Sequence, residues 1–179
     1  MAIEENIPLL EEILGGWKAA LGEDYLGYRN HVYRMVHFCL ALRVCGAEEK
    51  QKILVAAAFH DLGIWSDHTV DYLPPSIALA KAYLLEHDLA SWSEEIALMI
   101  DEHHKLRPSR NPRYPLVEVF RRGDLVDFSL GTVKWGLPGA YVARVKATFP
   151  NAGFHKRLLQ LAGSWFAEHP LSPPPFVKW

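Results

Sequence analysis

The sequence predicts an all-α protein with one domain. Apolar residues recur at the 3.6-residue spacing of amphipathic helices, no segment alternates as a strand would, and helix start and stop signals divide the chain. Gly46 and Gly63 are typical helix ends, and Ser91-x-x-Glu94 is typical of a capping box at a helix start. The chain has 179 residues, half of them hydrophobic, which is enough for a single core.

The apolar pattern predicts eight helices joined by short connections. They lie near residues 5–21, 24–45, 47–61, 75–88, 92–105, 114–128, 138–148 and 152–168. The two longest breaks, 62–74 and 106–113, are expected to be functional loops, because binding groups often lie on connections held by a rigid scaffold. We expect the domain to cover residues 1–169 and the proline-rich residues 170–179 to form an extended tail outside the fold.

Charge and cysteine content narrow the possible partners. The chain has 19 Lys and Arg against 21 Asp and Glu, and this balance argues against long nucleic acid or an acidic membrane surface. Cys39 and Cys45 lie too far apart on one predicted helix for a disulfide. The N-terminus lacks a signal-peptide pattern, and the longest apolar run, 53–59, is too short for a membrane span. We therefore expect a cytoplasmic protein that acts on a small molecule.

Two histidines of the predicted helix 24–45 fall on different faces. At 100° per residue, His31 shares a face with apolar residues that include Val32 and Met35. His37 falls on the opposite side with Arg34, where we expect a solvent-exposed residue. His31 is therefore a candidate metal ligand, although a histidine on an apolar face is also typical of a hydrogen-bonded core residue.

Acidic residues occupy apolar faces of two other predicted helices. His60 and Asp61 close the apolar segment 53–59, and Asp124 and Asp127 share a face with apolar residues of 116–128. Buried carboxylates are costly without a partner, so a metal, a histidine or an arginine should face them. Simpler explanations stay open: a histidine stabilised by a helix C-terminus beside a capping acid, or an ordinary salt bridge.

Paired histidines end the predicted helix 92–105, and a basic stretch follows them. His103 and His104 straddle the apolar stripe of that helix, and the cations after them have no acidic residue in between. Such a run is typical of a solvated loop, but beside paired histidines it also suits an anion site. We predict that Lys105, Arg107 and Arg110 bind the substrate.

Together, the candidate residues suit a metal site. Two histidines and two acids from three predicted helices give a mixed nitrogen and oxygen ligand set and leave positions for water and substrate. We predict one divalent ion, Mn, Co, Ni, Fe, Zn or Mg, bound by four residues: His31, His60, Asp61 and Asp124.

The order of these residues resembles the H…HD…D signature of the HD superfamily of metal-dependent phosphohydrolases. The resemblance lies in YRNHVYR at 28–34, AAFHDLG at 57–63 and GDLVD at 123–127. It implies an all-α bundle with at least five core helices and a central metal bound at the four positions just named. It also implies hydrolysis of phosphomonoesters or phosphodiesters, commonly of nucleotides.

Three branches of that superfamily compare differently with this chain. Two-metal branches carry a further histidine where this chain has Ser76, so one ion is expected, although His103 or His104 matches their later histidines. Bacterial deoxynucleoside 5′-monophosphatases place a proline and an acid after the HD pair, whereas this chain continues LGIW at 62–65. A branch similar to cyanamide hydratase adds water to a small neutral nitrile-like substrate and has paired histidines, as here.

We therefore predict a metal-dependent phosphohydrolase that acts on a small phosphate ester, such as a nucleotide. Asp61 would hold or deprotonate the attacking water, and His103 or His104 would stabilise or protonate the leaving oxygen. Two alternatives stay open: a hydratase or lyase acting on a small neutral molecule at the same metal, and a ligand-binding HD domain without turnover. The cations after His104 discriminate between the enzymes, because only a phosphatase needs them aimed at the metal.

Overall fold

A long central helix organises the fold. In the computed structural model, which describes residues 2–178, α3 (Tyr25–Leu42) is buried on every side along most of its length. The other helices are α1 (Pro8–Gly16), α2 (Lys18–Leu21), α4 (Ala47–Phe59), α5 (Gly63–Ser66), α6 (Leu73–Glu86), α7 (Ser93–Glu102), α8 (Leu116–Phe128), α9 (Gly139–Thr148) and α10 (Phe154–Glu168). The predicted all-α class is confirmed. No helix within residues 2–178 is long and apolar enough to cross a bilayer.

The α4 helix leads into the turn that carries the HD pair. Its residues from Ile53 to Phe59 are all buried, and it packs against α1, α3, α6 and α7. After the turn, the Gly63 N–H donates to Ser76 Oγ at 2.9 Å, and a Cβ atom at Gly63 would overlap the Tyr72 carbonyl oxygen. Ser76 therefore ties the start of α6 to the turn, at the position where two-metal branches of the superfamily carry a histidine.

Two short elements differ from the prediction. The expected helix 5–21 is broken at Trp17, whose φ of −101° and ψ of 3° lie outside the helical region, and this break separates α1 from α2. The single turn α5 lies inside the predicted loop 62–74. One helical turn is too short to show an apolar period, so the sequence pattern does not reveal it.

His37 is buried, and the prediction that it is exposed is wrong. Its Nε2 lies 3.0 Å from the Glu4 carbonyl oxygen, and its ring lies 5.6 Å from the Phe149 ring. Arg34, expected on the same solvated side, is also buried. A helical wheel places His37 on the less apolar side of α3, but the N-terminal segment and α9 cover that side.

The proline-rich C-terminal segment packs on the fold, so the prediction that it lies outside is wrong for its described part. The Leu106 N–H donates to the Lys178 carbonyl oxygen at 2.8 Å, and Lys178 also pairs with Asp101. The Phe176 ring lies 5.4 Å from the ring of Tyr72. Prolines restrict the backbone without preventing contacts, and Phe176 supplies an apolar anchor. Residue 179 lies outside the described residues.

The α8 helix packs closely on α3 at Gly123. A methyl group at this glycine would overlap Cys39 Sγ and lie 3.1 Å from the Met35 carbonyl oxygen. Both neighbours belong to α3, so the missing side chain sets how near the two helices come. This approach places Asp124 and Asp127 of α8 directly against α3.

We expect Gly123→Ala to lower the free energy of unfolding by about 1–3 kcal/mol, because overpacking forces the α3–α8 contact apart. The matched control is Gly163→Ala in α10, where nothing lies within 4 Å of the added methyl group. This control should be neutral or slightly stabilising, since alanine favours helix more than glycine does. Urea denaturation of both variants checks the prediction, and equal stability would contradict it.

The basic stretch after His104, residues 105–113, is held against α8 by Glu118. The Ser109 N–H donates to Glu118 Oε2 at 2.8 Å, and the Arg121 guanidinium pairs with both carboxylate oxygens at 2.8 Å. Arg122 donates to the same carboxylate at 2.7 Å. Burial would raise the pKa of Glu118, but these donors outweigh it and lower the pKa to about 2.

Glu118→Gln should destabilise the protein by about 1 kcal/mol at neutral pH, a discounted figure because solvent screens a partly exposed ion pair. The folded pKa lies below the ordinary value of 4.5, so the contribution is fully present above pH 4.5 and is lost as the pH falls towards 2. The difference in the free energy of unfolding between wild type and variant should therefore disappear as the pH falls from 4.5 towards 2. Urea denaturation across pH 2–8 measures it, with the exposed Glu168→Gln as control; a gap that persists at pH 2 would contradict the assignment.

Candidate metal centre

Three helices, α3, α4 and α8, bring histidine and aspartate side chains to one buried point. His31 comes from α3, His60 and Asp61 from the turn after α4, and Asp124 from α8. His31 Nε2 lies 3.0 Å from His60 Nε2, 3.9 Å from Asp61 Oδ2 and 3.5 Å from Asp124 Oδ1. His60 Nε2 lies 3.2 Å from Asp61 Oδ2. The four residues predicted as metal ligands therefore converge, although they are up to 93 positions apart in the chain.

Hydrogen bonds orient the imidazole rings. His31 Nδ1–H donates to Asp127 Oδ2 at 2.7 Å, which turns its Nε2 towards the cluster. His60 Nδ1–H donates to the Ala57 carbonyl oxygen at 2.8 Å, and His103 Nδ1–H donates in the same way to Ile100 at 2.6 Å. When these rings are neutral, each Nε2 is the unprotonated nitrogen and its lone pair points inward.

The inward-facing atoms have no adequate protein partner. Asp61 Oδ1 and His103 Nε2 are buried and 3.4 Å apart, yet neither makes a hydrogen bond within residues 2–178. His31 and His60 place two acceptor nitrogens 3.0 Å from each other. Buried acceptors that face one another are costly unless a proton or a metal ion lies between them. The residues present therefore fit a bound divalent cation.

Two ligand groups share Asp61. One consists of His31, His60 and Asp61, and the other of Asp61, His103 and His104; in each, the ligand atoms lie within 4.8 Å of one another. His104 Nδ1 also lies 3.8 Å from Asp124 Oδ2. The cluster could thus hold an ion at either group, and the expectation of one ion per chain stays a prediction.

Burial and neighbouring charges separate the two aspartate pKa values. Burial raises the pKa of Asp124 to about 7; His103 opposes this rise and the Asp61 charge adds to it. Burial would also raise the pKa of Asp61, but His60 and His103 together hold it well below its usual range. Burial lowers the pKa of His31 to about 4 despite the opposing Asp127 carboxylate. At neutral pH His31 is therefore neutral and its Nε2 keeps the lone pair that a metal needs.

Asp124 and Asp127 have different partners, although they share a helix face. Asp127 is paired with Arg34, whose Nη2 lies 2.8 Å from Asp127 Oδ2, and it also accepts the His31 hydrogen bond. These donors outweigh burial and lower the pKa of Asp127 far below its usual range. Asp124 pairs with no lysine or arginine in the described chain; the side chains that approach it are His31 and His104, at 3.5 and 3.8 Å. The salt-bridge explanation therefore holds for Asp127 and not for Asp124.

Sequence reasoning missed three side chains beside the cluster. Arg34 was assigned to the solvated side of its helix, although it belongs to the YRNHVYR segment that carries the resemblance. Tyr72 lies in the loop 62–74 that was expected to be functional, and its hydroxyl is 2.8 Å from His104 Nε2. The Phe154 ring stacks on His31 at 4.0 Å, and no signal in the sequence connects these two residues.

The three cations predicted to bind the substrate lie at different distances from the cluster. Lys105 lies 3.5 Å from Glu102 and lines a cavity of about 180 Å³ together with His103, His104 and Asp124. Arg107 and Arg110 are exposed and line neither this cavity nor the larger one beside it. Of the three cations, the structure brings only Lys105 next to the cluster.

A larger cavity, of about 300 Å³, adjoins the cluster at His104 and Tyr72. Its walls come from α10, from the end of α8 and from the C-terminal segment. The lining residues are Ile64, Val70, Tyr72, His104, Phe128, Leu130, His155, Leu158, Leu159, Leu161, Ala162 and Phe176. None of them is charged like Lys, Arg, Asp or Glu, so the space beside the cluster is apolar.

Comparisons with models of known protein families, with curated proteins and with solved structures found no match. The buried cluster is compatible with an HD-type metal site. Membership of the HD superfamily stays a prediction that rests on the motif resemblance.

We expect His31→Ala to lose bound metal and His37→Ala to keep it. Both histidines are buried on α3, but six residues separate them, a rise of about 9 Å along the helix. Metal content after loading with Mn²⁺ and dialysis checks this, and wild type should hold one ion per chain. Both variants should also unfold at lower temperature. Equal metal loss in two folded variants would contradict the site, and two ions in wild type would mean that Asp61 serves both ligand groups.

Proposed function

We propose that this chain is a metal-dependent hydrolase whose single divalent ion is held by His31, His60, Asp61 and Asp124. The observation that carries the proposal is the set of buried, unpaired acceptor atoms that face one another and adjoin a cavity. Structural metal sites are closed by protein ligands on all sides, whereas catalytic sites keep a position for water or substrate. The cavities that meet the cluster at His104 would give access to such a position.

The surrounding side chains suit hydrolysis. A divalent ion at this site would lower the pKa of a bound water and polarise the substrate. Asp61 Oδ1, buried and without a hydrogen bond in the described chain, can hold that water by accepting its proton. His103 or His104 would stabilise the leaving oxygen, or protonate it after taking up the proton from water. The Tyr72 hydroxyl holds the His104 ring in place.

The proposed substrate is a small phosphate ester, such as a nucleotide, as the resemblance implies. In the reaction, the water oxygen bonds to phosphorus while the ester P–O bond breaks. Water gives a proton to Asp61; the His103 Nε2, 3.4 Å from Asp61 Oδ1, would take up that proton and pass it to the leaving oxygen, and His104 would stabilise the same oxygen. Lys105, in the smaller cavity, supports this substrate because its ammonium can approach a phosphate bound beside the cluster.

A second candidate is a hydratase or lyase that acts on a small neutral molecule at the same metal. The larger cavity favours it, because no Lys or Arg lines that cavity and because Arg107 and Arg110 are exposed elsewhere. A neutral substrate would need the metal and the paired histidines but no cation to neutralise it.

The deciding experiment compares metal-stripped protein with protein reloaded with Mn²⁺, Co²⁺, Ni²⁺, Fe²⁺, Zn²⁺ or Mg²⁺, on a panel of phosphate esters and small nitriles. We expect turnover only after metal is restored. His103→Ala or His104→Ala should retain metal and lower kcat by about 10²- to 10⁴-fold, because a proton donor acts in the transition state. The control is His87→Ala, an exposed histidine at the end of α6.

Lys105 then separates the two candidates. If the substrate is a phosphate ester, Lys105→Ala should raise KM more than it lowers kcat, because a cation beside the cluster contributes mainly uniform binding. Arg107→Ala, at an exposed position outside both cavities, is the control. Kinetics indifferent to Lys105→Ala would favour the neutral substrate. Full activity in metal-stripped protein would contradict the proposed function itself.

A further inference from the structure

Three polar side chains line the cavity beside His104: Tyr72, His104 and His155. Both ring nitrogens of His155 are already bonded: Nε2–H donates to the Asp127 carbonyl oxygen at 3.1 Å, and Nδ1 accepts from Asn151 Nδ2 at 2.7 Å. Tyr72 and His104 hydrogen-bond to each other at 2.8 Å, which leaves the Tyr72 oxygen able to accept and the His104 Nδ1 able to meet a polar group next to the cluster. A ligand that fills this space must therefore be apolar over most of its surface.

The rim of the same cavity exposes large apolar side chains to solvent. Leu159 is 74% exposed, Leu130 50% and Phe128 47%. Leu130 also has a φ of 55°, a left-handed conformation that is costly for leucine. Exposed apolar side chains that cluster around a concave site, one of them on strained backbone, are typical of a binding site.

From these observations we infer that the substrate carries an apolar aliphatic or aromatic group, which this cavity binds while the reacting polar group lies at His104 and Tyr72. The inference rests on the proposed function and names the class of substrate for it. A cavity of about 300 Å³ has room for roughly ten non-hydrogen atoms, at about 30 Å³ each. The walls come from Leu158 and Leu161 of α10 and from Phe176 of the C-terminal segment.

The C-terminal segment completes this site. The Phe176 ring lies 5.2 Å from the His104 ring and 5.4 Å from the Tyr72 ring, so it closes the cavity next to the polar end. The Lys178 carbonyl oxygen accepts a hydrogen bond from the Leu106 N–H, and this bond fixes the segment beside the cluster. Phe176 is therefore placed to contact the first carbon atoms of the apolar group.

The test is a binding series that does not depend on turnover. The probes are n-alkyl phosphonates, which cannot be hydrolysed, and n-alkanols, which carry no charge, with chains of two to twelve carbons. Calorimetry on Mn²⁺-loaded wild-type protein should show an affinity gain of about fourfold for each added methylene, levelling off near ten non-hydrogen atoms. An affinity that does not change with chain length in both series would overturn the inference.

A matched pair of variants locates the binding. Ala162→Phe fills the cavity from α10, whereas Ala167→Phe adds the same ring to an exposed position of that helix, outside the cavity. Ala162→Phe should abolish the gain in affinity beyond short alkyl chains, and Ala167→Phe should leave that gain unchanged. Phe176→Ala should lower the affinity for every probe by about tenfold, because it removes a wall of the cavity. Equal responses of the two alanine positions would overturn the assignment to this cavity.

The outcomes separate the inference from the proposed function. Turnover without dependence on chain length would leave the hydrolase proposal standing and refute the apolar substrate. Dependence on chain length without turnover of any tested ester or nitrile would retain the apolar ligand site and count against the hydrolase. A third outcome is an affinity that does not change with chain length, together with dimerisation that depends on protein concentration. The exposed rim would then be a contact surface for a second copy of the chain, and the inference would be overturned.

Discussion

The contact between His31 Nε2 and His60 Nε2, 3.0 Å apart and buried, is the constraint on which the rest of the structure depends. Each nitrogen is an acceptor because its ring donates its only proton elsewhere. Two acceptors held together in this way cost free energy unless a cation lies between them. Both residues are buried, so the protein maintains an arrangement that a bound metal ion could stabilise.

The pairing of Arg34 with Asp127 shows how the fold sustains that arrangement. A carboxylate buried beside His31 would attract a proton and a positive charge to the imidazole. Arg34 supplies the positive charge instead, so Asp127 stays ionised while His31 stays neutral. Hydrogen bonds of this kind to the outer nitrogen of a metal-binding histidine fix its orientation and typically change metal affinity 10- to 100-fold. The close contact at Gly123 is needed for the same reason, because it brings Asp127 within reach of α3.

Helix positions and the ligand candidates could be predicted because both follow from local periodicity. His31 and Asp124 fall on apolar faces, and a charged group on such a face needs a partner wherever the helix packs. His37 shows the limit of this reasoning: a helical wheel finds the more apolar side, but it cannot reveal that other elements cover the second side too. Partners at a large sequence separation, such as Phe154 stacked on His31, depend on tertiary packing and leave no local pattern.

The basic stretch after His104 illustrates the same limit for charge and bears directly on the substrate. No acid interrupts it in the sequence, which made it a candidate phosphate site, but acids of α7, which ends just before it, pair with its cations in the fold. Glu102 pairs with Lys105, and Glu94 lies 3.5 Å from Arg113. Cations that already have partners, or that point to solvent, add little field at a buried site. On the proposed function, the apolar cavity would select among substrates, because burial of each methylene contributes to binding without a charged partner.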